Sequence, residues 1–402
     1  MATTVSAYSV YYYDYSTDPA TGHGMAGRIA DDGSSPVASA VFADPGLQSG
    51  LNGDPKVEGF TNPDGSLRLA VNDYVTGTAR PVTIYEPLAP SVLATPTWSN
   101  VQNLYTLVRL GNYLYAMDFD NARIVEINPA STPTAYAATG VTFTLPSGMV
   151  PSTPSGLIAH GQALAVIGGN LYGLFTFTDS TWTNYGKSLL VRFTVTGGTS
   201  IAVDSSNGNF AENAFSLAGK GSEIFVAAIG GRQGSASTPN PASCVQKISI
   251  SGSLNSAAVV PVLTQTDFSY EYRDISFDGS GNAYVLMGTY NSSWNLAGQL
   301  VKIPNLATPG TNTVINTFST TPGYFWSAQH TADNDRVWFA RGNEIWVYDA
   351  ASLASTPAKL TLSVNTPINL TGLLSASDPY VYDNINDLTY IGAVGSRISL
   401  RG

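Results

Sequence analysis

The 402-residue chain is 43% hydrophobic but only 11% charged, and 28 acidic against 18 basic residues leave a net charge of −10. That balance excludes the basic stripe a nucleic-acid partner would need, and equally an electrostatic hold on an anionic membrane surface. No run reaches the roughly 18 consecutive apolar residues of a membrane-spanning helix.

Thirty-nine Gly, 23 Pro and 22 Tyr, without runs of Ala, Leu, Glu and Lys, predict many short strands joined by turns. The N-terminal segment offers a Tyr-rich strand at 9–15, a second at 27–30 and a polar edge near 37–42, with no strand preceding them. From about residue 57 to 368 one plan then repeats six times: inner strand, tight turn, middle strand, loop, returning strand, polar edge. The clearest copy spans 270–304, with strands at 274–277, 283–290 and 299–303 and a turn at 278–282. Returning strands read aliphatic, polar, aliphatic, as in Val82-Thr83-Ile84, Val125-Glu126-Ile127, Val191-Arg192-Phe193 and Val301-Lys302-Ile303, and recur every 43 to 66 residues. That spacing is the one expected of four-stranded propeller blades.

Middle strands are expected at 67–71, 113–117, 163–167, 223–227, 283–287 and 336–340. Each follows a turn rich in Gly, Asn or Asp, residues that tolerate the positive φ of tight hairpins; for the third unit that turn is His160-Gly161-Gln162. The C-terminal segment 387–402 supplies what the N-terminus lacks, an inner strand followed by the Gly395-Ser396 turn. The expectation is an all-β protein: one β-propeller domain over 1–402 with seven blades, closed by a composite blade from the two terminal segments. Eight blades result if 388–401 is a hairpin of its own.

The segments FDGSGNAYVLMG (277–288) and TNPDGSLRLAVND (61–73) are similar to the inner turns of NHL, gluconolactonase-like and YVTN-type β-propellers. The resemblance to lactonase-type members implies a divalent cation held by oxygen ligands over a central tunnel. A calcium ion would suit such ligands, and the nearest candidates are Glu271, Asp274, Asp333, Asn62 and Glu58.

No catalytic or cofactor residue is assigned. Gly279-Ser280-Gly281 lacks the spacing of a nucleophile elbow, and Gly230-Gly231-Arg232-Gln233-Gly234 lacks the lysine and following helix of a phosphate loop. His23, His160 and His330 are too scattered for a metal site and read as isolated polar residues. Cys244, the single cysteine, reads as a small buried hydrophobe.

Aromatic residues are the feature best suited to function. Trp182 and Tyr185, then Tyr290 and Trp294, fall in loops between middle and returning strands, all on one face of a propeller. Glu271, Arg273 and Asp274 place charge where the inner strand of that last unit begins. The expected function is therefore an exported, non-catalytic propeller that recognises a protein or glycan partner. The alternatives are a self-assembling component of a bacterial surface layer or appendage, and a metal-assisted hydrolase or lactonase. An extracellular or periplasmic location is expected from composition; the first twenty residues carry neither a basic nor an apolar leader region, so the expectation takes a signal peptide to be removed or omitted.

Overall fold

The computed structural model describes residues 8–15, 24–31, 37–43, 56–62, 66–72, 82–86, 91–94, 103–129, 136–196, 200–205, 210–235, 237–291, 296–321, 328–332, 336–341, 344–349, 368–369 and 384–391, with positions 96, 98 and 101. By their contacts the residues fall into two compact units, Met1–Asn100 with Pro129–Ala137 and Thr321–Ser399, and Val101–Asn128 with Ala138–Thr320 and Leu400–Gly402.

In chain order the first unit begins with β1 (Tyr8–Tyr15), β2 (Gly24–Asp31), β3 (Val37–Ala43), β4 (Lys56–Thr61), β5 (Leu67–Asn72), β6 (Val82–Glu86) and β7 (Ser91–Ala94). The second contains β8 (Leu104–Leu110), β9 (Tyr113–Asp118), β10 (Arg123–Pro129), β11 (Tyr136–Thr144), β12 (Ile158–Ile167), β13 (Asn170–Thr178), β14 (Tyr185–Thr196), β15 (Ser200–Ser205) and β16 (Phe210–Glu212). It continues through β17 (Ala214–Lys220), β18 (Glu223–Ala228), β19 (Cys244–Ser249), β20 (Val259–Thr264), β21 (Tyr272–Phe277), β22 (Ala283–Tyr290), β23 (Leu296–Ile303) and β24 (Thr313–Thr321). The first unit resumes with β25 (Ala328–Ala332), β26 (Arg336–Arg341), β27 (Glu344–Asp349), β28 (Ile368–Asn369) and β29 (Asn384–Ile391). The described residues contain no α-helix.

Nearly every sheet is an antiparallel meander of four consecutive strands. In the first unit these are β4 to β7 and β25 to β28; in the second, β8 to β11, β17 to β20 and β21 to β24, with β12 to β15 widened by β16 pairing to β14. The exception joins the two terminal segments. Its order is β29-β1-β2-β3, with Ser9 opposite Ile391 and Tyr12 opposite Leu388. This is the composite sheet expected from the sequence: β29 covers the edge of β1 that would otherwise present unpaired backbone groups. β29 pairs with β1 rather than starting a hairpin within the described residues, and the Gly395-Ser396 turn lies outside them.

In the second unit the core lies between sheets. One cluster sets Tyr172, Leu174 and Leu190 against Leu217, Ile224 and Val226, and another sets Tyr115, Met117 and Ile124 against Leu164, Phe175 and Phe193. A third joins Phe225 and Val245 to Ile275, Val285 and Val301. Middle strands are therefore covered on both faces: β22 is buried along its whole length. That explains why alternation of apolar and polar residues is weak in the sequence.

One unit departs from expectation. Residues 163–167 belong to the first strand, β12, and not to the middle one. The turn is Gly168-Gly169, whose φ values of +56° and +76° are the left-handed geometry that favours glycine, and β13 follows as the middle strand.

Candidate functional site

The first strands of all four sheets in the second unit share a backbone irregularity. Pairing with the next strand slips between Leu104 and Thr106, Gly161 and Ala163, Ala214 and Ser216, and Tyr272 and Asp274. The extra residues are Tyr105, Gln162, Phe215 and Arg273. A bulge leaves one residue outside the ladder and re-aims its side chain, so four unrelated residue types are presented by one repeated device. They are also linked. Gln162 Nε2 donates to the Phe215 carbonyl at 3.4 Å, and the Arg273 guanidinium carbon sits 6.0 Å from the centre of the Phe215 ring.

Loops between second and third strands meet the starts of these first strands. The Phe119 carbonyl, in the loop after β9, accepts from Gly161 N at 3.0 Å. The loop after β18 reaches the start of β21, where Ser243 Oγ accepts from Tyr272 N at 2.8 Å. Ser235 of the same loop forms a parallel bridge with Tyr290.

Two groupings arise at this end of the sheets. The first is aromatic. The His160 ring stacks 4.7 Å from Phe119 and 4.9 Å from Trp182, whose own planes are parallel within 5° at 6.1 Å. Tyr105 extends the group, 5.0 Å from Phe119. His160 is 9% exposed, and burial pulls its pKa down to about 4, so the imidazole is neutral near pH 7. Trp182 is 49% exposed.

A short polar turn fixes the position of Trp182. Asp179 Oδ1 accepts from Thr181 N, Thr181 Oγ1 and Thr183 N at 3.1, 2.9 and 2.9 Å, while Oδ2 accepts from Asn184 Nδ2 at 2.6 Å. These donors, the Thr183 amide foremost, hold the Asp179 carboxyl well below the usual carboxylate range. Trp182 itself has φ +54°, an unfavourable value for an aromatic residue that the turn imposes. Asp179→Ala is expected to loosen the turn with little effect on global stability, since the lost bonds are exposed. Hydrogen exchange at Thr181 and Thr183 should accelerate toward unprotected rates with β13 and β14 unchanged. Unaltered exchange at these two amides would refute the assignment.

The second grouping is charged and buried. Glu271 is fully buried; its Oε1 accepts from Gly234 N at 2.6 Å and Asn240 N at 2.9 Å, and its Oε2 lies 3.5 Å from Arg273 Nη2. Gly234 is required by this approach, because a Cβ there would lie 2.9 Å from Glu271 Oε1 and closer still to the Thr238 carbonyl. Arg273 is 4% exposed and donates through Nε to the Gly288 carbonyl at 2.7 Å. Its guanidinium carbon lies 4.9 Å from the centre of the Tyr290 ring, a cation–π contact. Nη1 and Nη2 of Arg273 and Oε2 of Glu271 have no hydrogen-bond partner. Burial pushes the Glu271 pKa up, against the opposing pull of Arg273 and the two backbone amides.

Of the site residues expected from sequence, Trp182 stands in its loop and is exposed, and Glu271 and Arg273 form the buried pair. Tyr290 departs from expectation: it is the last residue of β22 and 3% exposed, its ring against Arg273. Tyr185 opens β14, half-buried, with its hydroxyl pKa raised chiefly by burial. Asp274 is a half-buried residue of β21 whose Oδ1 accepts from Ile275 N at 2.8 Å. Trp294 lies outside the described residues, as do Asp333 and His23.

Of the oxygen ligands considered for calcium, Glu271 is engaged by Gly234, Asn240 and Arg273. Asn62 accepts the Tyr136 hydroxyl at 2.8 Å and donates to Ser66 Oγ at 3.1 Å, which closes its own turn. Among the described residues no three His, Cys, Asp or Glu side chains form a set able to hold a metal. Cys244 is buried, and its thiol pKa is raised by that burial to about 11. Sequence reasoning missed Phe119, His160 and Gln162 as site residues. His160, expected in a turn, is instead on β12.

No family model matches the chain, and no curated protein does either. Solved structures do. A proposed 6-phosphogluconolactonase from Bacteroides fragilis superposes with a TM-score of 0.59 at 11% identity over 98% of this chain and 100% of its own. Another from Bacteroides uniformis gives 0.58 at 11% identity over 96% and 100%. The periplasmic gluconolactonase of Pseudomonas aeruginosa gives 0.54 at 11% identity over 96% and 100%. Likeness at this identity carries the fold and not the activity. The chain has the β-propeller fold.

Proposed function

We propose that this protein is a carbohydrate-binding propeller that holds sugar rings against the shelf formed by Phe119, His160 and Trp182. The observation that carries this reading is Trp182, half exposed yet fixed by the Asp179 turn against the stacked rings of Phe119 and His160. An indole held rigid before binding loses little entropy on contact, and its apolar face suits the C–H face of a pyranose. The same reading takes residues 1–402 as one domain, the seven sheets as seven blades closed by the β29–β1 pairing, and the location as extracellular or periplasmic. Affinity electrophoresis through gels containing soluble starch, xylan or hydroxyethyl cellulose, with pull-down on chitin and peptidoglycan, tests it. Retardation or capture by at least one polymer, reduced about tenfold or more by Trp182→Ala at an unchanged melting temperature, is expected. Equal binding by the variant, or binding to none of the five, overturns it.

Lactone hydrolysis is the second reading, supported by the activities named for the three structural neighbours. Glu271 would be the residue to test, as the buried carboxyl whose pKa is raised. Turnover of glucono-δ-lactone in a pH-stat, with and without added calcium and lost in Glu271→Gln, would favour it over the first.

A further inference from the structure

We propose that Glu271 and Arg273 form a subsite for a pair of neighbouring sugar hydroxyls, separate in composition from the aromatic shelf. This deepens the carbohydrate reading and rests on it. The starting point is an imbalance. Nη1 and Nη2 of Arg273 are donors without acceptors, Glu271 Oε2 is an acceptor without a donor, and Nη2 and Oε2 lie 3.5 Å apart. Leaving such groups buried and unmatched is costly, and native proteins keep few of them. The rest of the pair is fully committed: Oε1 to two backbone amides, Nε to the Gly288 carbonyl.

The charges choose the occupant. A carboxylate or phosphate would gain two donors from Arg273 but face the Glu271 carboxylate across a desolvated gap. An ammonium group would meet the opposite conflict. A hydroxyl both donates and accepts, so a vicinal diol donates one proton to Oε2 and accepts from the guanidinium, with no net charge brought into the site. The unmatched atoms are out of contact with solvent, beneath the ring of Tyr290 on one side of the guanidinium. The occupant thus reaches them by turning that ring aside, exchanging a cation–π contact for hydrogen bonds.

Titration calorimetry on the full chain with the methyl glycosides of glucose, galactose, mannose and xylose, and with methyl glucuronide, provides the test. At least one neutral glycoside is expected to bind, methyl glucuronide to bind about tenfold more weakly or less, and Arg273→Lys to lose about tenfold or more in affinity for the neutral ligand. Lysine keeps the charge but not the fork. Should that variant fail to fold, the wild-type arginine Nε–Hε resonances provide the second reading: a shift in the Arg273 signal on adding the glycoside supports the subsite, and its absence overturns it. Glucuronide binding as tight as the neutral sugar, undiminished binding by a folded Arg273→Lys, or no binding by any of the glycosides also overturns it. Polymer capture that needs Trp182, with no effect at Arg273, would sink the subsite alone. Glycoside binding that needs Arg273 but not Trp182 would sink the shelf alone.

Discussion

Replacing Glu271 by Ala should destabilise the protein by about 3–5 kcal/mol, the usual cost of breaking a buried ion pair from one side. Three groups lose their acceptor or counter-charge together. The Arg273 guanidinium, 4% exposed, would be left with one hydrogen bond, to the Gly288 carbonyl. The amides of Gly234 and Asn240 would lose the carboxylate that now accepts from both. Solvent cannot readily replace it, because Glu271 is fully buried. Against a typical net stability of about 5–15 kcal/mol, this is a large fraction. The double variant Glu271→Met with Arg273→Met removes the charge along with its partner and should recover about 2 kcal/mol or more of the loss. Urea unfolding followed by tryptophan fluorescence gives both numbers. A single-variant loss below about 1 kcal/mol would mean that the guanidinium finds another partner and that the pair does not hold the loop after β18.

The contrast between that pair and the rest of the chain shows what the sequence could disclose. Strand order was legible because returning strands such as Val301-Lys302-Ile303 repeat an alternation of buried and half-buried positions, here in the third strand of its sheet. The terminal pairing was legible because an inner strand was missing at one end and surplus at the other. Gly161 misled, since glycine serves two purposes. At 168–169 it permits positive φ, whereas at 161 it makes room for Met117, whose side chain a Cβ would overlap. The bulges were invisible for a different reason. Tyr105, Gln162, Phe215 and Arg273 share no common chemistry across the four, because the device is a backbone slip that aromatic, amide and charged residues alike can occupy. Trp182 stood out as a loop aromatic, but its supports are set by pairing and packing: β12 against β13 brings His160 opposite Thr176, and the loop after β9 brings Phe119 to the start of β12. Charge at Glu271 and Arg273 could be read directly; their burial, which gives them their energetic weight, could not.

The same dependence on burial makes His160 the source of the second large effect, one that appears only with pH. An unfolded histidine titrates near 6.5, whereas burial alone lowers the folded value to about 4. Above 6.5 the imidazole is neutral in both states and costs nothing. As pH falls below 6.5 the unfolded chain takes up a proton that the native state refuses, so stability drops, and the loss levels off below about 4, where both states are protonated. The full difference is about 3 kcal/mol, at 1.36 kcal/mol for each unit between the two values. An opposing effect must be weighed. Phe119 and Trp182 stack on this ring at 4.7 and 4.9 Å, and an imidazolium against aromatic rings gains a cation–π attraction of about 0.5–2 kcal/mol. Desolvation outweighs that attraction, so the sign stands, but the plateau should come nearer pH 5 if the rings contribute fully. His160→Phe keeps an aromatic ring in the stack and removes the proton site. Because carboxylates titrate alike in both proteins, the informative quantity is the stability difference between wild type and His160→Phe, measured by urea unfolding from pH 7.5 to 4. That difference should shift against the wild type by about 1–3 kcal/mol as pH falls, and a difference constant to about 0.5 kcal/mol would show that His160 is protonated without penalty, and hence that the ring is not buried beneath Trp182.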